Sequence, residues 1–151
     1  QARQAQLSAL YDQDFCQWAE HTAQLLKDGN FAALDLDNLI EEVEDMSGSQ
    51  KRALLSNLRV LLMHLLKYQY QPDNRSPSWR SSIIEHRLRI QEAFEDSPSL
   101  KPHFQENFDR AYQKARKQAA LETELPLQIF PPDCPLPIEA VLDDNWMPDL
   151  S

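Results

Sequence analysis

The side chains best suited to chemistry in this chain are one histidine and a block of carboxylates. His64 is the only polar residue in the run Val60-Leu61-Leu62-Met63-His64-Leu65-Leu66. A stretch this apolar is stable in water only as the central element of a bundle. His64 therefore sits where a fold either satisfies one polar group or builds a site. The carboxylates that could serve it are Glu41, Glu42 and Asp45, and Glu41 and Asp45, four apart, share one helical face. A carboxylate within about 3 Å of the imidazole would support acid–base catalysis. Joined by a second histidine, the same carboxylates would bind a metal between facing helices. The chain has no Glu-x-x-His, His-x-x-x-His or His-Glu-x-x-His pattern. No metal and no cofactor are therefore expected. The first expectation for His64 is a hydrogen bond to a carbonyl or carboxylate, or a position pointing out between helices.

A second constellation is Trp79-Arg80 with Arg87. Arg80 and Arg87 are seven apart, hence on one helical face, and guanidinium pairs of this kind grip phosphates or a partner's carboxylates. The simpler expectation puts Trp79 in the core and the arginines on the acidic carboxy-terminal segment. Arg75, Arg80, Arg87 and Arg89 also make a basic face that could contact nucleic acid, a role the overall acidity opposes. Arg110, Lys114 and Lys117 share a face of a later helix and read as solvated. Cys16 and Cys134 are too few for a disulfide framework and lack CxxC spacing. Either could pair with a histidine as a nucleophile, but neither has a distinctive local motif, and a structural role is expected of both.

The charge pattern frames these sites. Net charge is −9. From Ala119 to Ser151 there are seven acidic residues and no Lys, Arg or His, and Asp28 to Asp45 carries seven carboxylates without a base. Between them, Ser47 to Ala93 holds eight Lys or Arg against three acidic residues. Blocks of this kind pair inside a fold or polarise its surface. With two glycines there is no phosphate-cradling loop. No run of about 18 apolar residues exists, so no membrane span is expected. The polar amino terminus is no signal peptide, and the missing initial Met fits a start inside a longer chain. These features suggest a reducing, cytoplasmic setting.

The elements that must position the candidates are helices. Asp12 to Lys27 is amphipathic through Phe15, Trp18, Ala19, Thr22, Leu25 and Leu26, and Gly29 stops it. Asp35 or Asp37 caps a second helix with apolar positions Leu39, Ile40, Val43 and Met46. Ser47-Gly48-Ser49 then interrupts, and the apolar stripe resumes through Leu54, Leu58, Leu61 and Leu65. This joint is equally a kink within one helix or a tight turn between two. Pro72 ends the central helix, and Ser76-Pro77 starts another carrying Trp79, Ile83, Ile84, Leu88, Ile90 and Phe94. Ser97-Pro98 repeats the start signal, with Pro102 confining that piece to a short turn. Phe104 to Ala119 is the last long helix. Residues 125–135 hold four prolines and read as an extended segment across the bundle, followed by a short helix within 137–143 and an anchoring Trp146.

In its ordered blocks the chain resembles a bacterial helical family, abundant in cyanobacteria, known as domain of unknown function twenty-nine. The blocks are Tyr11-Asp12 with Phe15 and Trp18, Leu36 to Met46, Leu58 to Lys67, Ser78-Trp79-Arg80, Asp96 to Leu100, and the proline-rich tail from Leu125 to Pro135. They span about residues 11–148. The resemblance implies a compact helical bundle and no established reaction, so it transfers no catalytic residue. Its characteristic blocks include His64, Glu41-Glu42 and Trp79-Arg80.

The expected architecture is a single all-α domain over residues 1–151. A compact bundle of about five helices over 11–124 is closed by the extended, acidic, proline-rich segment 125–151. The leading functional expectation is a non-enzymatic cytoplasmic module that binds a protein partner or itself. An enzyme built from the Glu41–Asp45 block and His64 comes second, and nucleic-acid contact through Arg75 to Arg89 last.

Overall fold

The computed structural model describes residues 2–148. Those residues form seven α-helices and no strand: α1 (Ala2–Gln13), α2 (Phe15–Lys27), α3 (Leu36–Tyr70), α4 (Pro77–Asp96), α5 (Leu100–Glu106), α6 (Phe108–Thr123) and α7 (Ile138–Val141). The all-helical class is as expected, but the count of about five is corrected to seven. The differences have local causes. In α1 the apolar positions form no continuous stripe, and of its described side chains only Leu7 is buried, so periodicity does not reveal it. Pro102 is the third residue of α5, where its missing N–H would have had no intrahelical partner anyway. Ser47, Gly48 and Ser49 are helical, so two expected segments are one 35-residue helix rather than a reversal.

The described residues divide into two compact units between Ser49 and Gln50. In the first, Asp14 caps α2 by accepting from the Gln17 N–H at 3.1 Å. Gly29 ends α2 at φ 71°, a conformation that favours glycine, and lets the Asn30 N–H reach the Leu25 carbonyl at 2.9 Å. Trp18 is buried with its ring edge-on to Tyr11, and its indole N–H donates to Asp35 at 3.1 Å. Asp35 also accepts from Asn38 at 2.7 Å. The start of α3 therefore packs on its hydrogen-bonding side, through Asp35, Asn38 and Glu42. This has a consequence for its apolar stripe. Ile40, Val43 and Met46, apolar positions of the expected second helix, are exposed.

In the second unit α3 supplies the central layer. Leu54, Leu58, Leu61, Leu62, Leu65 and Leu66 are all essentially inaccessible to water. Burying each such side chain is worth about 1.5–3 kcal/mol. Against them pack Ile83 and Ile90 of α4, Leu100 and Phe104 of α5, and the Ala111, Ala115, Ala119 row of α6. Ser76 caps α4 by accepting from the Trp79 N–H at 3.2 Å, with Pro77 at the first helical position, as its sequence signals. The inward row of α4 is Ile83, Arg87 and Ile90, spaced i, i+4, i+7. Ile84 and Leu88, each one residue further along, are thereby turned outward and exposed. The proline-rich segment lies on this unit and buries Phe130, Leu136 and Val141. Tyr112 and Arg116 of α6 donate to the carbonyls of Pro131 and Phe130 at 2.5 and 2.7 Å. No helix among the described residues is long and apolar enough to cross a membrane.

Candidate functional site

His64 is half-buried on α3, facing α4. Its Nδ1 donates to the Val60 carbonyl one turn earlier at 2.9 Å. On α4, His86 does the same with the Ser82 carbonyl at 2.7 Å. The two rings lie nearly parallel, 6.5 Å apart between centroids. The Ser82 hydroxyl sits 3.4 Å from one Nδ1 and 3.3 Å from the other. Because a carbonyl only accepts, both Nδ1 atoms carry the proton, and neither can take one from Ser82. The cluster is therefore not a serine–histidine nucleophile. Burial lowers the His64 pKa, and the nearby Lys67 and His86 charges push the same way, opposed by the Val60 hydrogen bond and by Glu122. A neutral imidazole bonded to its own helix is the result.

The carboxylate candidates belong to the first unit. Glu42 accepts from the Tyr11 hydroxyl at 2.5 Å, and that hydrogen bond, together with desolvation and the charges of Glu42, Glu41 and Asp45, raises the Tyr11 pKa. Glu41 and Asp45 are exposed. Among the described residues no three His, Cys, Asp or Glu side chains are grouped to hold a metal ion.

The arginines divide by role. Arg87 is buried, and its Nε and Nη2 donate to the carbonyls of Val141 and Trp146 at 2.8 and 2.7 Å, tying the carboxy-terminal segment to α4. Arg75 stacks on Tyr68, 4.0 Å from its ring centroid, and donates to the Tyr68 carbonyl at 2.8 Å. Arg89 pairs with Glu85 at 3.0 Å. Of the expected basic face only Arg80 is exposed with no partner among the described residues. Trp79 lies under the ammonium of Lys67, 4.9 Å from its ring centroid, and Lys67 also pairs with Glu122 at 3.2 Å. Cys16 and Cys134 are free thiols. The charge of Glu20 raises the first, and burial pushes the second up to about 11, so neither is activated at neutral pH.

Sequence reasoning missed a cluster of positive charge in the second unit. Lys51, Arg52 and Arg59 of α3 face Arg110 and Lys114 of α6 across a groove of about 390 Å³, with His103 of α5 at its edge. The signal was present in the spacing. Arg52 and Arg59 are seven apart, Arg110 and Lys114 four apart, so each pair holds one helical face. Only the packing of α6 beside α3 shows that the two faces meet.

The family model described as Domain of unknown function DUF29 matches residues 10–147. The chain belongs to that family. No curated protein and no solved structure gives a significant match. As a DUF29 chain it inherits no assigned reaction, and only its own surfaces point to what it does.

Proposed function

We propose that this DUF29 chain is a non-enzymatic cytoplasmic binding module whose first unit docks a protein partner along the start of α3. The observation carrying this reading is a row of apolar side chains left in water. Leu36, Ile40 and Val43, at i, i+4 and i+7, are 57%, 47% and 54% exposed. Met46 continues the row at 65%. A single exposed leucine is ordinary, but a contiguous helical stripe is a typical protein-docking feature. Asp37, Glu41, Glu44 and Asp45 flank the stripe, are exposed, and form no ion pair among the described residues. An apolar row with an acidic border is complementary to an amphipathic segment whose apolar face is bordered by Lys or Arg. The same border repels nucleic acid and anionic membranes.

The test compares the native chain with Ile40→Glu/Val43→Glu in pull-downs from native lysate. Both replaced residues are exposed, so the variant keeps its fold. A stoichiometric partner with a basic amphipathic contact segment, recovered by the native chain and lost with the variant, is the expected result. Identical recoveries from both proteins would overturn the proposal. So would no recovery at all, with light scattering showing a monomer. Concentration-dependent self-association abolished by the variant would replace the foreign partner with a second copy.

A further inference from the structure

We infer that the groove between α3 and α6 in the second unit binds a compact polyphosphate anion, one carrying two or more linked phosphate groups. The site is independent of the apolar stripe on the first unit. Its walls are built by matching spacing. Arg52, Leu55, Ser56 and Arg59 recur at i, i+3, i+4 and i+7 on α3, and Arg110, Ala111 and Lys114 lie at i, i+1 and i+4 on α6. This places cations along both rims with Leu55 and Ala111 between them. The lining contains five Lys or Arg and not one carboxylate, in a chain whose net charge is −9.

The state of those cations is the second observation. The ion pairs among the described residues are Lys67–Glu122 and Arg89–Glu85, and neither touches the groove. Arg59 donates only to the neutral side-chain amide of Gln118. Lys51, Arg52, Arg110 and Lys114 are exposed and unpaired among the described residues. Cations gathered on facing helices with no ion-pair partner repel one another. A bound anion removes that repulsion. Three guanidinium forks suit the paired oxygens of phosphates, and two ammonium groups add point charges.

Size and lining select among anions. At about 390 Å³ the groove lies in the range of small-molecule sites, larger than one phosphate needs. Apart from the single imidazole of His103, no ring lines it, and no Phe, Tyr or Trp, so it lacks the row of stacking platforms on which successive bases of a single-stranded nucleic acid rest. The overall negative charge further disfavours a long polyanion that would run past the groove. What fits is a short run of phosphates, whether inorganic or the phosphate end of a nucleotide.

The test titrates the full chain by calorimetry with sodium tripolyphosphate, ATP, orthophosphate, a short single-stranded DNA and a polyglutamate peptide at one salt concentration. Tripolyphosphate should bind one-to-one, about tenfold or more tighter than orthophosphate. ATP binding as tightly supports readout of the phosphates alone; ATP binding more weakly assigns the site to the inorganic form. Arg52→Glu/Lys114→Glu should weaken tripolyphosphate about tenfold or more, as loss of charge-assisted contacts requires. The neutral pair Arg52→Gln/Lys114→Gln should weaken it less, with an unchanged thermal midpoint showing an intact fold. Arg80→Glu, an exposed charge outside the groove, should leave binding unchanged. The inference is overturned by tripolyphosphate binding no tighter than orthophosphate, or by equal losses from Arg80→Glu and the groove variants. Tighter binding of the DNA or of polyglutamate would also overturn it.

Discussion

Arg87 is 1% exposed, yet its guanidinium is surrounded by carbonyl oxygens rather than by water or a carboxylate. Burial pushes its pKa down while Asp144 and Asp143 oppose the shift; an arginine stays protonated under that balance. Two hydrogen bonds from a charged donor, each worth about 1.5–3 kcal/mol, are lost in Arg87→Met, and two carbonyls lose their donors. The variant should lose about 3 kcal/mol, read as a lower urea midpoint at unchanged slope. Arg87→Lys should recover little, because one ammonium cannot reproduce the fork that reaches both Val141 and Trp146. His64 is held differently, by its own helix, and its lowered pKa gives a pH signature. With the folded value below the unfolded 6.5, the unfolded state binds the proton first as pH falls. The stability that His64 confers is therefore complete above pH 6.5 and declines below it, levelling off once the folded state is protonated too. His64→Gln cannot titrate, so the stability difference between native and variant should shrink as pH drops from about 7.5 to about 5. A difference that stays constant, or widens, across that window would contradict the burial of a neutral imidazole.

Between Met46 and Gln50, α3 runs through Ser47, Gly48 and Ser49, three residues that do not favour helix on their own. Because that stretch is helix interior, Gly48→Ala should stabilise the chain by about 0.5–1 kcal/mol through reduced backbone entropy in the unfolded state. A turn at the same place would make the substitution neutral or harmful, and chemical denaturation separates the two. Gly48 also shows where sequence legibility stops. The stop at Gly29, the Ser76-Pro77 start and the leucine row of α3 were readable because each is a local signal: a backbone conformation, a cap, a period. Whether a weak helix former breaks a helix depends on what packs around it, which no local signal records. The exposure of Ile40 and Val43 was illegible for a related reason. Periodicity marks an apolar face without saying that Tyr11 and Trp18 would claim the polar face beside it. The Lys51–Lys114 groove needed a contact between elements some sixty residues apart in sequence. Arg110 and Lys114 alone therefore looked like an ordinary solvated face.

At the scale of the whole chain, apolar burial is very unevenly shared. Among the described residues the core cluster comprises twenty between Leu54 and Val141, with further partly buried side chains from Val60 to Met147. Among the described residues of the first unit, the buried hydrophobic ones are Leu7, Trp18 and Leu34. Folding requires apolar burial to outweigh backbone and side-chain entropy, and a piece of fewer than 50 residues with three such side chains falls below what isolated domains of that size need. The larger unit has a core of ordinary extent, and its proline-rich segment is fastened from within by Arg87, Tyr112 and Arg116. A fragment spanning residues 50–151 should therefore fold alone, showing strong helical ellipticity at 222 nm and one cooperative thermal transition. Residues 1–49 alone should show weak helicity that declines gradually on heating, as expected of short helices without tertiary support. A larger fragment that melts without cooperativity would mean that its core is not sufficient by itself. Independent melting of the smaller one would mean that the Trp18–Asp35 and Tyr11–Glu42 hydrogen bonds do more than its few buried side chains suggest.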